Sequence, residues 1–394
     1  MRVSTTGLIQ SAIDQMLRQQ GELAKTRDSL ASGQRYTRAA ENPGAVATAA
    51  RLDSVLSQLG QYRANGETAL SRLTLEEGAL DTAGDILQRM RELVVQGNNA
   101  TASGEARSAI ATEMRALEDE LLSVANAQDG RGRYLFAGLS DAGLPFSRSA
   151  GGQVSYGGDG GERQVNIGQG RSVADGDSGD AVFMRVPSGN GLFQVTADPA
   201  NQGGATLKSA QPDGSGAYSS QRFDIEFVGG GYQVLDEGGA VVQAAAEYEP
   251  GSVIEFGGVS VSFSGTPAAG DNFSLDPLRR QSVFDLAGAA VNALSLDDAA
   301  QRGTGLYNAL EGLDAALGHI NEIRGTVGAR MNAIERSDSI NEGSELEIAR
   351  SLSGLRDVDM AEAIGRLTQQ ATTLEAAQAA FARVQNLSLF DFLR

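Results

Sequence analysis

Apolar residues recur at intervals of three and four along both ends of the chain. Ile9, Ile13, Met16, Leu23 and Leu30 fall on such a repeat, with Gln20 and Arg27 in its polar positions. A second row places an apolar residue at every seventh position: Leu52, Leu59, Leu73, Leu80, Leu87 and Val94, interrupted by Gly66. Beside it runs a mixed row of Leu56 and Leu70 with the polar Arg63, Glu77 and Arg91. Ile110, Met114, Leu117, Leu121 and Val124 continue the spacing. Near the other end, Leu306, Leu310, Leu313, Leu317, Ile320, Val327, Met331 and Ile334 repeat it, broken only by Arg324. A period near 3.5 residues predicts long helices that meet along narrow seams. The stretch from 52 to 94 would be roughly 63 Å long at 1.5 Å per residue. Turn signals interrupt the pattern at Glu41-Asn42-Pro43-Gly44 and Gly97-Asn98-Asn99.

The middle of the chain follows another rule. Arg222 to Val228 alternates apolar and polar with period two, and Gly229-Gly230-Gly231 leads into Tyr232-Gln233-Val234-Leu235, which predicts a hairpin. Val259 to Phe263 alternates again. Val154–Tyr156, Gln164–Ile167, Val182–Val186 and Leu192–Thr196 are further expected strands. Glycine and proline sharpen the division. Residues 131–280 carry 29 of the 50 glycines and seven of the eight prolines. Proline is poorly tolerated inside helices. The expected fold is therefore mainly α with an inserted antiparallel β-domain: heptad-patterned helices from both chain ends pack as a rod, carrying a Gly-rich knob. The expected division is 1–40 with 356–394 as terminal helical segments, 41–135 with 282–355 as a helical rod, and 136–281 as the insertion.

Composition removes most kinds of chemistry. There is no cysteine, which excludes disulfides, thiolate metal sites and cysteine nucleophiles. His319 is the one histidine. A net charge of −18 argues against nucleic acid and against anionic membrane surfaces as partners. No apolar run approaches the ~18 residues that a membrane helix needs. The first residues lack the continuous apolar core of a secretory signal. Gly176-Asp177-Ser178-Gly179 imitates a protease nucleophile turn, but that serine would need a base, and His319 sits in a leucine-patterned helix. Asp175, Asp177 and Asp180 lack the full ladder of a calcium loop. Phosphate-cradling glycine motifs are missing. Helix faces such as Arg89, Arg91 and Glu92, or Arg115, Glu118 and Glu120, read as solvated ion pairs. No catalytic residue, cofactor or metal is expected.

The chain ends carry more specific signals. Leu30-Ala31-Ser32-Gly33-Gln34-Arg35 precedes Ala40-Glu41-Asn42-Pro43, and Gln61-Tyr62, Asn65 and Arg91-Glu92-Leu93 follow. Gly132-Arg133-Tyr134-Leu135-Phe136-Ala137-Gly138 closes the first helical part. Val327-Gly328-Ala329-Arg330-Met331-Asn332, Asp357-Val358-Asp359-Met360-Ala361-Glu362-Ala363 and the run from Phe381 to Leu393 complete the set. Together these resemble the bacterial flagellin family, and the Leu-Ser-Leu-Phe-Asp-Phe-Leu ending favours its hook–filament junction branch. The match covers both helical parts. The middle has no motif that matches.

The resemblance implies a structural part of the flagellum with no active site, exported unfolded through the flagellar type III apparatus without a cleaved signal and located outside the cell at the hook–filament junction. It implies a ring of like subunits, the first hook-associated protein on the hook side, flagellin on the filament side, and an export chaperone on the C-terminal region. It also implies an inner layer formed by the terminal segments, disordered in the monomer. The expected assembly and chaperone interface comprises Ile9, Ile13, Met16, Leu374, Phe381, Leu387, Leu389, Phe390, Phe392 and Leu393. Two rival readings are a filament flagellin and a secreted binding protein that acts through its β-domain.

Overall fold

In a computed structural model, the described residues are 5–392 apart from 100, 141 and 142. The chain forms two compact units: residues 1–64 with 337–394, and residues 65–336. Among the described residues six α-helices form: α1 (Thr5–Ser32), α2 (Pro43–Gly97), α3 (Gly104–Ala125), α4 (Val283–Leu294), α5 (Ala299–Arg356) and α6 (Met360–Phe392). Local chemistry starts them. Pro43 opens α2 while the Asn42 side chain accepts the Ala45 amide at 3.0 Å. Ser103 and Ser282 cap α3 and α4 in the same way. Asp359 accepts the Glu362 amide at the start of α6.

In the larger unit, Leu73, Leu80, Leu87 and Val94 of α2 are fully buried. So are Leu313 and Val327 of α5 and Met114 and Leu121 of α3. Phe136, Phe146 and Phe183 extend this core, with the Phe136 and Phe183 rings edge to face at 5.1 Å. Two glycines let α4 lie tight against α5. A Cβ at Gly312 would sit 2.4 Å from Leu286 Cδ1, and one at Gly305 would sit 2.9 Å from Ala293 Cβ.

Between α3 and α4 the described residues form fourteen short strands: β1 (Phe146–Arg148), β2 (Val154–Tyr156), β3 (Gln164–Gly168), β4 (Arg171–Ala174), β5 (Val186–Pro187), β6 (Phe193–Ala197), β7 (Thr206–Pro212), β8 (Phe223–Val228), β9 (Gly231–Asp236), β10 (Val241–Glu247), β11 (Val253–Phe256), β12 (Val259–Ser264), β13 (Asn272–Pro277) and β14 (Arg280–Gln281). All their pairings are antiparallel. The main sheet has the order β10-β9-β8-β13-β6, and a three-stranded sheet has the order β11-β12-β7. Phe223, Ile225 and Phe227 of β8 alternate into a second core with Phe263 and Phe273. That core rests on α5, where Tyr307 Oη accepts the Ala210 amide and Asn308 donates to the Val195 carbonyl.

One expected strand is absent. Asp180–Met184 form a π-helical turn, and only Val186–Pro187 pair as a strand. Val182 and Phe183 are adjacent and both buried, a demand that alternation cannot meet and a helical turn can. One expected solvated pair is also different. Glu118 is largely covered and binds Arg148 at 2.8 Å, because the β1–β2 hairpin lies over that face of α3.

Candidate functional site

The two terminal helices, α1 and α6, belong to the smaller unit and pack against each other. Ile13, Met16, Leu23 and Leu30 of α1 are half-buried, as are Leu367, Leu374 and Phe381 of α6. Thr26 Oγ1 donates to Gln370 Oε1 at 2.9 Å between them. The connections beside these helices are tied together. Gly33, with φ of +70°, turns the chain after α1, and its carbonyl accepts the Val358 amide. The Arg35 amide donates to the Arg356 carbonyl, and Gln34 pairs with Asp357 as an antiparallel bridge. Arg356 also reaches Asp53 at 3.0 Å.

What this pair lacks is a core. Among the described residues no side chain of α1 is fully buried, and in α6 only Ala363 is, at 4% exposed. Leu17 is 59% exposed and Ile364 is 50% exposed. A helix in water gains most of its stability from packing an apolar face. Two helices sharing one thin seam leave much of that gain unrealised. The surface is therefore suited to being covered by other polypeptide.

Of the expected interface residues, the structure brings Ile13, Met16, Leu374 and Phe381 onto the α1–α6 pair in half-buried positions. The side chains of Ile9, Leu387, Leu389, Phe390 and Phe392, and the whole of Leu393, lie outside the described residues.

The imitations of catalytic motifs are engaged elsewhere. His319 bonds through Nε2 to the Ala181 carbonyl at 2.8 Å, while Ser178 Oγ accepts the Ala181 amide. Asp175, Asp177 and Asp180 each face a different arginine: Arg163, Arg330 and Arg185. Among the described residues no three His, Cys, Asp or Glu side chains converge as a metal site. No described helix is long and apolar enough to cross a membrane.

Sequence reasoning missed a buried ionic cluster in the larger unit. Glu76 is 1% exposed on α2, and its Oε1 accepts the Asp177 amide at 2.9 Å. Asp177 Oδ1 accepts from Arg330 of α5 at 2.9 Å. Arg72, one turn before Glu76, donates to the Tyr134 and Leu135 carbonyls. Burial, reinforced by the charge of Asp177, pushes the Glu76 carboxyl up to about 8. The signal available in the sequence was slight: Glu76 sits next to Glu77, which occupies a seam position.

The chain's two helical parts match family models. Residues 3–141 match the bacterial flagellin N-terminal helical region, and residues 310–393 match the bacterial flagellin C-terminal helical region. The flagellar hook-associated protein 3 of Escherichia coli strain K12 is 26% identical over 391 residues, which span 99% of each chain. The crystal structure of FlgL from Xanthomonas campestris is 33% identical with a TM-score of 0.72, covering 77% of this chain and 99% of that one. The structure of hook-associated protein 3 from Legionella pneumophila is 31% identical with a TM-score of 0.75, covering 77% and 98%.

Proposed function

The chain belongs to the bacterial flagellin family, and on that footing we propose that it is the hook-associated junction subunit that connects hook to filament. It is a structural component of the flagellum, outside the cell. The observation that carries the finer reading is the α1–α6 pair, two helices of 28 and 33 residues with one fully buried side chain among those described. Such helices are completed by neighbours, and repeating subunits on a helical lattice supply that cover.

In this reading, 1–40 and 356–394 make the inter-subunit contacts, 41–135 and 282–355 carry the helical body, and 136–281 is the inserted part. Ile13, Met16, Leu374 and Phe381 lie in the contact surface, together with Ile9 and the apolar residues Leu387, Leu389, Phe390, Phe392 and Leu393. The neighbours are like subunits in a ring, the first hook-associated protein on one side and flagellin on the other. Before export, a cytoplasmic chaperone holds the C-terminal region. Export proceeds through the flagellar type III apparatus without a cleaved signal. The role is architectural, not enzymatic, which fits a histidine and a serine that are each bonded to backbone rather than to one another.

Electron microscopy of a strain lacking the gene tests this. The expected cells carry hooks without filaments and do not swim, and the wild-type chain restores both. Normal attached filaments in the deletion strain would refute the junction role. Long filaments grown from the purified protein alone would instead identify a filament flagellin.

A further inference from the structure

The loop Asp175–Gly179 joins β4 to the π-helical turn and touches both long helices of the larger unit. Its Asp177 is held twice: the amide by Glu76 of α2 and the carboxylate by Arg330 of α5. Four buried polar atoms around this loop have no hydrogen-bond partner among the described residues: Glu76 Oε2, Asp177 Oδ2, Arg72 Nε and Arg330 Nη1. Gly176 leaves the room they share. A Cβ there would lie 3.3 Å from Arg72 Nε and 3.5 Å from Glu76 Oε2. Two carboxylates thus meet inside the protein, and only one of them is ion-paired with Arg330 at hydrogen-bond distance.

The charges facing Glu76 come from each element around it. Arg72 comes from α2, Asp177 from the loop and Arg330 from α5. Beyond them, Arg163 pairs with Asp175, Arg133 with Asp129, and Glu162 stands 3.8 Å from Arg330. The outer arginines are therefore committed to other carboxylates. An unpaired buried carboxylate is costly as an ion and tolerable as an acid.

We propose that Glu76, Asp177 and Arg330 form a proton-operated latch: with Glu76 protonated the loop stays docked on α2 and α5, and loss of that proton releases it. Opening the loop lets Glu76 ionise in water, so the open form binds fewer protons than the closed one. Between the ordinary carboxylate range and the raised value of the docked group, each pH unit multiplies the open population by up to about tenfold. Above that range the dependence stops. The loop leads from β4 back to the helical core, so its release frees one attachment of the inserted β segment.

Amide hydrogen exchange on the full-length protein tests the latch, read at Asp177 to Ala181 and corrected for the intrinsic pH dependence of exchange. From pH 6 to pH 8 the wild-type loop should lose protection by up to about 50-fold. It should open more readily than α2 amides around Leu87, which report global unfolding. Glu76→Gln should remove the slope while keeping the loop protected. Asp177→Asn, which removes the neighbouring charge and leaves Glu76 in place, should move the slope to lower pH. The latch is refuted by a flat wild-type profile, by an unchanged slope in either variant, or by loop amides that exchange only with the α2 core.

Discussion

Arg324 of α5 holds Glu77 of α2 at 2.7 Å, and the same guanidinium reaches Asp81 at 2.8 Å. Both residues stand where an apolar seam is broken: Arg324 interrupts the leucine row of α5, and Glu77 belongs to the mixed row of α2. Each break answers the other. Arg91 and Asp314 repeat the arrangement further along the same antiparallel pair, at 2.6 Å. In the smaller unit, Arg63 does the same with Asp338 and Glu345. Charges at these points favour the stretch of α2 that meets α5, since a slide that carried Arg324 past Glu77 toward Leu73 would set a guanidinium against a leucine.

A double-mutant cycle measures that pairing. Glu77→Ala, Arg324→Ala and the double variant, unfolded in denaturant, should give a coupling of about 0.5–1 kcal/mol that shrinks in high salt. Both side chains are about a third exposed, so a larger value is not expected. A coupling indistinguishable from zero at low salt would remove the pair from any role in register.

The polar breaks were readable in the sequence as breaks, but not as partners. Period alone picked out Leu52, Leu59, Leu73, Leu80, Leu87 and Val94 as one row; the last four are fully buried, while Leu52 and Leu59 are half-buried. It also separated helical ends from a β-rich middle. It could not find Glu76. A buried carboxylate one position off the seam looks like a solvated helix charge until the loop around Asp177 folds over it. The π-helical turn was missed for a related reason. Val182 and Val186 suggest a strand, and only the packing of Phe183 against Phe136 and Phe146 reveals a helical turn. On α1, Ile13 and Met16 were legible from spacing as an apolar row, whereas their half-buried state depends on α6 far along the chain.

Stability should vary with pH in a direction set by Glu76. Its folded value of about 8 exceeds its unfolded one, so between roughly pH 4.5 and 8 the folded chain binds more protons than the unfolded chain. Stability should therefore fall as pH rises through that window and level off above it. Glu118 and Glu311 are raised by burial and act in the same sense. Asp129 is lowered through the hydrogen bonds it accepts, although burial opposes them, so acid below its ordinary range costs stability instead. Thermal melts should show stability falling between about pH 4.5 and 8, and Glu76→Gln should flatten much of that slope. A melting temperature that rises from pH 5 to 8 would contradict the assignment.

The two units should respond differently to loss of an apolar side chain. Leu80 is fully buried in the core of α2, α3 and α5. Leu80→Ala should cost about 2–5 kcal/mol in the unfolding of the larger unit. Leu23→Ala, on a half-buried position of α1, should leave that transition within about 0.5 kcal/mol of wild type. Calorimetry of both variants distinguishes them. Equal losses would mean that α1 is a full part of the main core.

Met16 and Phe381 are half-buried on helices that between them hold one fully buried side chain among those described. The free protein should therefore be cut first within about the first 40 residues and beyond about residue 355, with the remainder resistant to protease. Met16→Ser with Phe381→Ser removes two apolar contacts, each worth about 1.5–3 kcal/mol once buried by a neighbour. In the free chain much of that surface is already wet, so the melt of the larger unit should hardly move. Incorporation into the flagellum should weaken, giving hooks with poorly attached or missing filaments. Cells that swim normally with both changes, or a purified variant whose whole core melts much earlier, would show that the helices are completed within the chain and not by its neighbours.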